Sequence, residues 1–418
     1  MKTLFTIFLT TLTGLVWGAS RITVDNGGRF ASILMTESEY AGWISSSPNF
    51  DKNDKRTALV KEVYQLFKDD FDFIFMIANE TNIPAGFPYY GELISVSNNV
   101  TGIGSGIFNY GTNYGSDGKL KSTIFLPARK FILYGPTLHE LSHQWGNFLF
   151  NAGITWDGVN FYNSSIPHWG FTGAKGQLGG FDPTTLISNV DGNPNKYKVG
   201  SFGLNANGGN GLPYSDIELY LMGMAPASEV ADFTVYTDVT FYDYNTQTFI
   251  ANKKTTYKAS NYPRTPDYSS SQKEFKILFL LLTKSAVTSA EASELNRHID
   301  SFCLAGSDGS SSLYNFWEAT KGRGKIYAEN LDTSIKTSDS NTILNNNFKA
   351  FVTNGKIKIE GLGNNATITL IDICGRILMQ KNTNLVETEL STKNINRGVY
   401  IIKADGSNGC SSQKIIIP

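Results

Sequence analysis

The 418-residue chain carries 36 basic and 37 acidic side chains, a net charge of −1, so no general attraction to nucleic acid is expected. Hydrophobic residues make up 41% and aromatic residues 13%, enough for real cores in two or three domains and too many for a disordered chain. Three cysteines with no C-x-x-C exclude a disulfide scaffold: Cys374 and Cys410 share the C-terminal segment and are candidates to pair, and Cys303 is expected to be a buried thiol.

Lys2, the apolar run Leu4 to Val16 and the small residues Gly18-Ala19-Ser20 read as a secretory signal over residues 1–19. The run is short of the ~20 apolar residues a membrane span needs, and no other stretch qualifies. Leu59, Val63, Leu66 and Phe67 recur at helical spacing and predict an amphipathic helix over 54–68. Phe71 to Ile77 predicts a buried strand, and Glu92 to Ser97 and Leu120 to Leu126 two more. Between them, Gly102-Ile103-Gly104-Ser105-Gly106 has no helix after it, as a phosphate cradle requires, and is read as a loop over a cleft.

Leu138-His139-Glu140-Leu141-Ser142-His143 holds the pattern H-E-x-x-H. On a helix, residues i and i+4 share a face, so His139 and His143 can aim both imidazoles at one ion, with Glu140 beside it as a general base. Leu138, Leu141, Trp145, Phe148 and Leu149 supply an apolar stripe, predicting a helix that opens near Gly135-Pro136 and runs past Trp145. A competing reading makes Thr137 an N-cap and Glu140 its capping-box partner.

A catalytic zinc needs a third protein ligand and one open position. His168, in the loop Ile166-Pro167-His168-Trp169-Gly170, is favoured; Asp157, Glu218 and His298 are the alternatives. Residues 151–215 are otherwise loop-rich. Tyr214 to Met224 reads as a short helix ending at Gly223. Within it, Asp216 and Glu218 are candidates to orient a ligand His, and Tyr220 to donate to an oxyanion.

Alternation from Phe233 to Phe249 predicts a β-hairpin within 233–260, and Phe275 to Leu282 is an apolar run of undecided type. Thr288-Ser289-Ala290-Glu291 opens a helix to about Cys303, and a further helix holds Tyr314, Trp317 and Glu318. Residues 332–342, rich in Ser, Thr, Asp and Asn, read as a linker. Beyond it, Lys356 to Glu360, Ala366 to Ile373, Val386 to Leu390, Gly398 to Lys403 and Gln413 to Ile417 predict a small β-sandwich over 343–418.

Two resemblances follow from these residues. H-E-x-x-H, with the order helix, strands, active helix, resembles the zincin metallopeptidases. Gly146 keeps a metzincin position, but Leu149 stands where that group has its third His; the likeness to that group's Met-containing turn implies Met222 or Met224 beneath the metal. The segments Asn354-Gly355-Lys356, Ile371-Asp372-Ile373-Cys374-Gly375-Arg376 and Arg397-Gly398-Val399-Tyr400-Ile401-Ile402, with Lys414-Ile415-Ile416, resemble the type IX secretion C-terminal sorting domain of Bacteroidota. Together they imply an α+β zincin-like catalytic domain at 20–331 followed by the all-β sandwich. They imply a secreted or cell-surface zinc endopeptidase acting on protein or peptide substrates, with Zn2+ on His139, His143 and His168, and with the type IX machinery as partner. The alternative is a secreted surface protein that binds glycan or peptide and whose metal site is non-catalytic.

Overall fold

The computed structural model describes residues 21–25, 27–146, 149, 154–156, 161–163, 167–310, 312–328, 331–335, 348–353, 355–362, 365–372, 376–406 and 409–417. The signal segment, Phe148, Asp157 and Cys374, and with Cys374 the expected disulfide, lie outside them. The chain divides into two compact units, Met1–Ile335 and Lys336–Pro418.

The first unit is built on one mixed sheet. Its strand order is Ile22–Val24, Phe30–Leu34, Glu274–Thr283, Phe73–Ala78, Ser122–Leu126, Glu92–Ser95, with Lys325–Tyr327 pairing alongside Glu274–Thr283. The four central strands run parallel, and both sheet faces are covered, which is why Phe73–Ala78 is buried at every position. Phe73, Phe75 and Ile77 face the core shared with Leu138, Leu141 and Trp145. Ile74, Met76 and Ala78 face the core shared with Leu59, Val60 and Val63 of the Asn53–Leu66 helix. The undecided run is thus a central strand. It arrives from late in the chain and inserts between Phe30–Leu34 and Phe73–Ala78, so the sheet does not close within an N-terminal half.

Glu92–Ser95 pairs antiparallel with Ser122–Leu126 and forms the edge of the sheet. The Gly-rich segment carries a short strand, Phe108–Asn109, paired with Ser97–Asn98, and a single helical turn, Gly111–Tyr114. Phe233–Asp243 and Thr248–Tyr257 form the expected hairpin, extended by Lys196–Lys198 and Ile187–Ser188 into a four-stranded sheet. Phe171, Phe181, Tyr197 and Phe249 fill its aromatic core. Ser289–Phe302 is the helix signalled by the Thr288 capping box. Its C-cap Cys303 is half-buried, less enclosed than expected.

The expected linker begins too early. Leu331–Ser334 is a helical turn with Leu331 and Ser334 buried, and Ile335 bridges to Phe67. Buried Leu331, the Ser334 hydrogen bonds to Asp70 and Lys276 and the Ile335 bridge together hold these residues on the first unit.

The second unit is a sandwich of a three-stranded and a four-stranded sheet around Ile357, Ile359, Leu370 and Ile402. Two strands escaped the sequence pattern, Lys349–Thr353 and Ile377–Thr383. The latter is an edge strand with few buried positions, so its alternation is weak.

Candidate metal centre

The helix that carries the H-E-x-x-H pattern spans only Thr137–Ser142, shorter than the apolar stripe suggested. Ser142 Oγ donates to the His139 carbonyl, 2.6 Å, an alternative to the helical ladder, and the chain turns through Gln144 and Trp145. His143 is the C-cap but keeps right-handed helical angles, φ −62° and ψ −18°, so the i, i+4 relation survives. Pro136 is the N-cap, and Thr137 Oγ1 donates to the Phe131 carbonyl, so Glu140 is not its capping partner. The helix start is held by Asn210. Its Oδ1 accepts from Leu138 N at 2.9 Å, and its amide donates to the Ile132 and Leu133 carbonyls. Tyr214 Oη donates to the Leu138 carbonyl.

His139, His143 and His168 converge. Nε2 of His139 lies 3.2 Å from Nε2 of His143 and 3.4 Å from Nε2 of His168, and one ligand atom from each residue lies within 4.8 Å of the others. Tetrahedral zinc with Zn–N bonds of about 2.05 Å holds its nitrogens about 3.3 Å apart. The donor chemistry fits as well. His139 Nδ1 lies 2.7 Å from the Gln177 carbonyl oxygen, which fixes the proton on Nδ1 and turns the Nε2 lone pair to the centre. Burial holds the His139 imidazole below its ordinary pKa, and burial with His139 alongside drives His168 down to about 3. Both are neutral imidazoles, the form in which a His side chain can bind a metal ion.

His168 is carried by an anchored loop. Trp169 is 1% exposed and donates from its backbone to the Leu178 carbonyl and from Nε1 to Glu218. Glu218 also accepts from the backbone of Gln177, Leu178 and Ser215 at 2.9–3.0 Å. It therefore ties the His168 loop to the Gln177 loop that orients His139. It supports His139 and His168 through other groups, and it belongs neither to the histidine cluster nor to the direct partners of those rings.

Other expected participants lie elsewhere. Asp216 is half-exposed and pairs with Lys321 at 2.6 Å. Tyr220 Oη donates to the Tyr262 carbonyl and accepts from Arg264 N, so it has no free hydroxyl for an oxyanion. Met222 is a core residue bordering a small cavity with Gln144 and Trp145, and Met224 packs against Gly324. His298 meets the Tyr134 ring edge-on, away from the cluster.

The three His and Glu140 line an open cleft of about 470 Å³ whose opposite wall is the edge strand and the residues before it. Glu140 is 6% exposed. Burial, then the neighbouring Glu92, push its carboxyl up to about 8, against the Leu93 backbone N–H, which favours the charged form. Gly91 lets the strand approach: a Cβ there would sit 2.9 Å from Glu140 Cγ. Tyr89, Gly91, Glu92 and Gln177 had no motif to announce them; only the position of Glu92 at the start of a predicted strand was readable.

Fold and site define the class of architecture: a mixed α/β unit bearing a three-histidine cluster, followed by a β-sandwich. Residues 353–418 match the family model described as a secretion system C-terminal sorting domain. The protein is accordingly a type IX secreted protein of the cell surface or medium, and its sandwich is the part that engages the type IX machinery. Among the described residues, no helix is long and apolar enough to cross a membrane. No curated protein matches the chain. Among solved structures, it is similar to PorZ, a surface component of the type IX secretion system of Porphyromonas gingivalis, at 17% identity over 19% of this chain and 12% of that one, TM-score 0.17. It is also similar to the CBM51-2 and INT domains of Clostridium perfringens ZmpB, at 18% identity over 16% of each chain, TM-score 0.14.

Proposed function

We propose that the protein is a secreted zinc-dependent endopeptidase. The observation that carries this reading is the convergence of the His139, His143 and His168 imidazoles within 4.8 Å, with the buried carboxyl of Glu140 on the same cleft. His139, His143 and His168 would hold the ion. Zinc bound there supplies Lewis acidity, lowering the pKa of water to about 7 and polarising an amide carbonyl. Glu140 is then the base that takes a proton from the attacking water and returns it to the leaving nitrogen. The edge strand Glu92–Ser95 offers backbone groups to an extended peptide lying along the cleft, a geometry that suits a protein substrate.

The test is zinc content per chain beside casein hydrolysis, for the wild type, Glu140→Gln and His168→Ala. One zinc and chelator-sensitive cleavage are expected in the wild type. Glu140→Gln is expected to keep zinc and lose roughly a thousandfold or more of the rate. His168→Ala is expected to lose both. Zinc binding without turnover of any protein would favour a binding protein with a non-catalytic metal site.

A further inference from the structure

A second pocket, of about 160 Å³, lies where the chain leaves the H-E-x-x-H helix through Gln144 and Trp145, and the hydrolytic step does not use it. Two cations, Lys121 and Arg264, are among the described residues that line it, and no Asp or Glu is. Arg264 is 8% exposed. Its Nε donates to the Leu221 carbonyl at 2.7 Å, and its Nη1 to the Pro266 carbonyl and Ser271 Oγ. Among the described residues, its Nη2 has no hydrogen-bond partner and no carboxylate pairs with the guanidinium. Asp267 acts on it only at longer range, and its Oδ1 accepts from Ser269 and Ser270. Lys121 is 19% exposed along its side chain, and its one ion pair among the described residues is with Asp72 Oδ1 at 3.8 Å. That oxygen already serves Lys119 at 3.1 Å and accepts from Gln272 Nε2 at 2.9 Å. One carboxylate thus answers two lysines, and Arg264 has none.

Neither Arg264 Nη2 nor Lys121 Nζ is closed off from solvent, and the pocket opens through the exposed residues Asn99, Ser270 and Gln272. Enclosed cations with open donor positions and too few counter-charges are costly, and a charged acceptor is the partner that best relieves them. Burial brings the Arg264 guanidinium down to about 10 and holds the Lys121 ammonium below its ordinary pKa, with Lys119 adding to the latter; an anion in the pocket would reverse both shifts. A water takes about 30 Å³ of the liquid, so the pocket has room for a carboxylate or a tetrahedral oxyanion and for no large ligand.

We propose that this pocket is an anion-binding site, which takes a carboxylate or small oxyanion at the open Nη2 of Arg264 with Lys121 as the second positive group. It stands apart from the peptidase reading, since it uses neither the histidines nor Glu140. Two sources supply the same chemistry, a free ion such as phosphate and a glutamate side chain of a peptide.

The experiment titrates inorganic phosphate into the full chain by calorimetry at constant ionic strength. It is run with and without a chelator, which separates any anion held by a metal at the histidine cluster. Wild type is compared with Lys121→Gln, Asn99→Asp and, as a control that removes the same charge from an exposed strand, Lys253→Gln. Lys121→Gln removes a side chain that makes no hydrogen bond, and Asn99→Asp adds a negative charge at the exposed mouth, so both are expected to melt close to wild type; if one fails to fold, the other decides. Saturable binding at one site per chain is expected, weakened at least fivefold by each pocket variant and less than twofold by Lys253→Gln. The same titrations use an acetylated, amidated peptide carrying glutamates and its glutamine counterpart. Binding of the glutamate peptide alone, with the same dependence on Lys121 and Asn99, assigns a peptide carboxylate; binding of phosphate alone assigns the free ion; binding of both, each displacing the other, assigns a site open to either. The proposal is overturned if neither probe binds saturably, or if the pocket variants weaken binding no more than Lys253→Gln does.

Discussion

The Glu218 carboxylate accepts from Trp169 Nε1 and from the backbone N–H groups of Gln177, Leu178 and Ser215, and is 1% exposed. Glu218→Ala leaves those donors buried and unpaired, at about 1–3 kcal/mol each before relaxation. It should lower the melting temperature strongly and weaken zinc binding about 10- to 100-fold, because the Gln177 carbonyl no longer holds His139 in place. Asp216→Asn, which loses only a half-exposed pair with Lys321, should change stability by about 0.5 kcal/mol or less. Thermal melts and competition with a zinc chelator check both. In the sequence these two carboxylates are two residues apart and look alike; burial alone separates them. The pairing of His139 with His143 was legible because i, i+4 geometry is local, whereas the arrival of His168 depends on how its loop folds back. The role of Gln177 was not, because a main-chain carbonyl has no sequence signal. Glu140 allows a pH prediction for the metal-free protein. Above pH ~7, His139 and His168, with lowered pKa values, are neutral when folded and largely neutral when unfolded. Glu140 and Glu92 keep their protons up to about 8 and about 7 when folded, against 4.5 for the ordinary carboxyl. In that range the folded state binds more protons than the unfolded one, and stability falls as pH rises from about 7 to 8. Melting in chelator should show this fall, Glu140→Gln should flatten it, and zinc should too, since a nearby cation favours the ionised carboxylate. A flat or rising profile for the metal-free wild type would refute the assignment.

Among the elements, the edge strand Glu92–Ser95 brings the sheet to the chemistry. It was predicted from its residues, but its place at the sheet edge, against the H-E-x-x-H helix, depends on pairing with Ser122–Leu126, which no local pattern encodes. Glu274–Thr283 illustrates the same limit. Buried on both faces, it has no alternation to distinguish a strand from a core helix. The approach of strand to helix makes Gly91 a sensitive position. A Cβ at residue 91 would lie 2.9 Å from both Glu140 Cγ and Pro136 Cγ, tighter than ordinary van der Waals contact. Gly91→Ala should displace the Glu140 carboxylate and lower kcat at least tenfold, since misplacement of a reacting group by about 1 Å can cost on the order of 100-fold. Zinc content should stay at the wild-type level, because the three His are untouched. Loss of zinc in that variant would mean that the strand supports the ligands and not the base.

At the scale of the whole molecule, the boundary between the two units matters more than the composition shift that first suggested it. The polar run after residue 331 looked like linker, and only tertiary contact reveals that its first residues belong to the first unit. Leu331 is fully buried in the core around Val60 and Phe67, Ser334 donates to Asp70 and accepts from Lys276, and Ile335 pairs with Phe67. A chain ending at Ile335 keeps all of these and should melt close to the first unit of the full-length protein. A chain ending at Asn330 loses a buried leucine, worth about 2–5 kcal/mol, together with the Ser334 hydrogen bonds. For a unit of this size that corresponds to a fall of at least about 5 °C in melting temperature. Differential scanning calorimetry of the two truncations decides the matter. Equal melting would return these residues to the linker. Both truncations lack the sorting domain at 353–418, so neither should reach the cell surface or medium of a host with a type IX system, although the longer one folds. Export and stability are thereby separable in one pair of chains, since a defect caused by misfolding would affect the shorter chain alone.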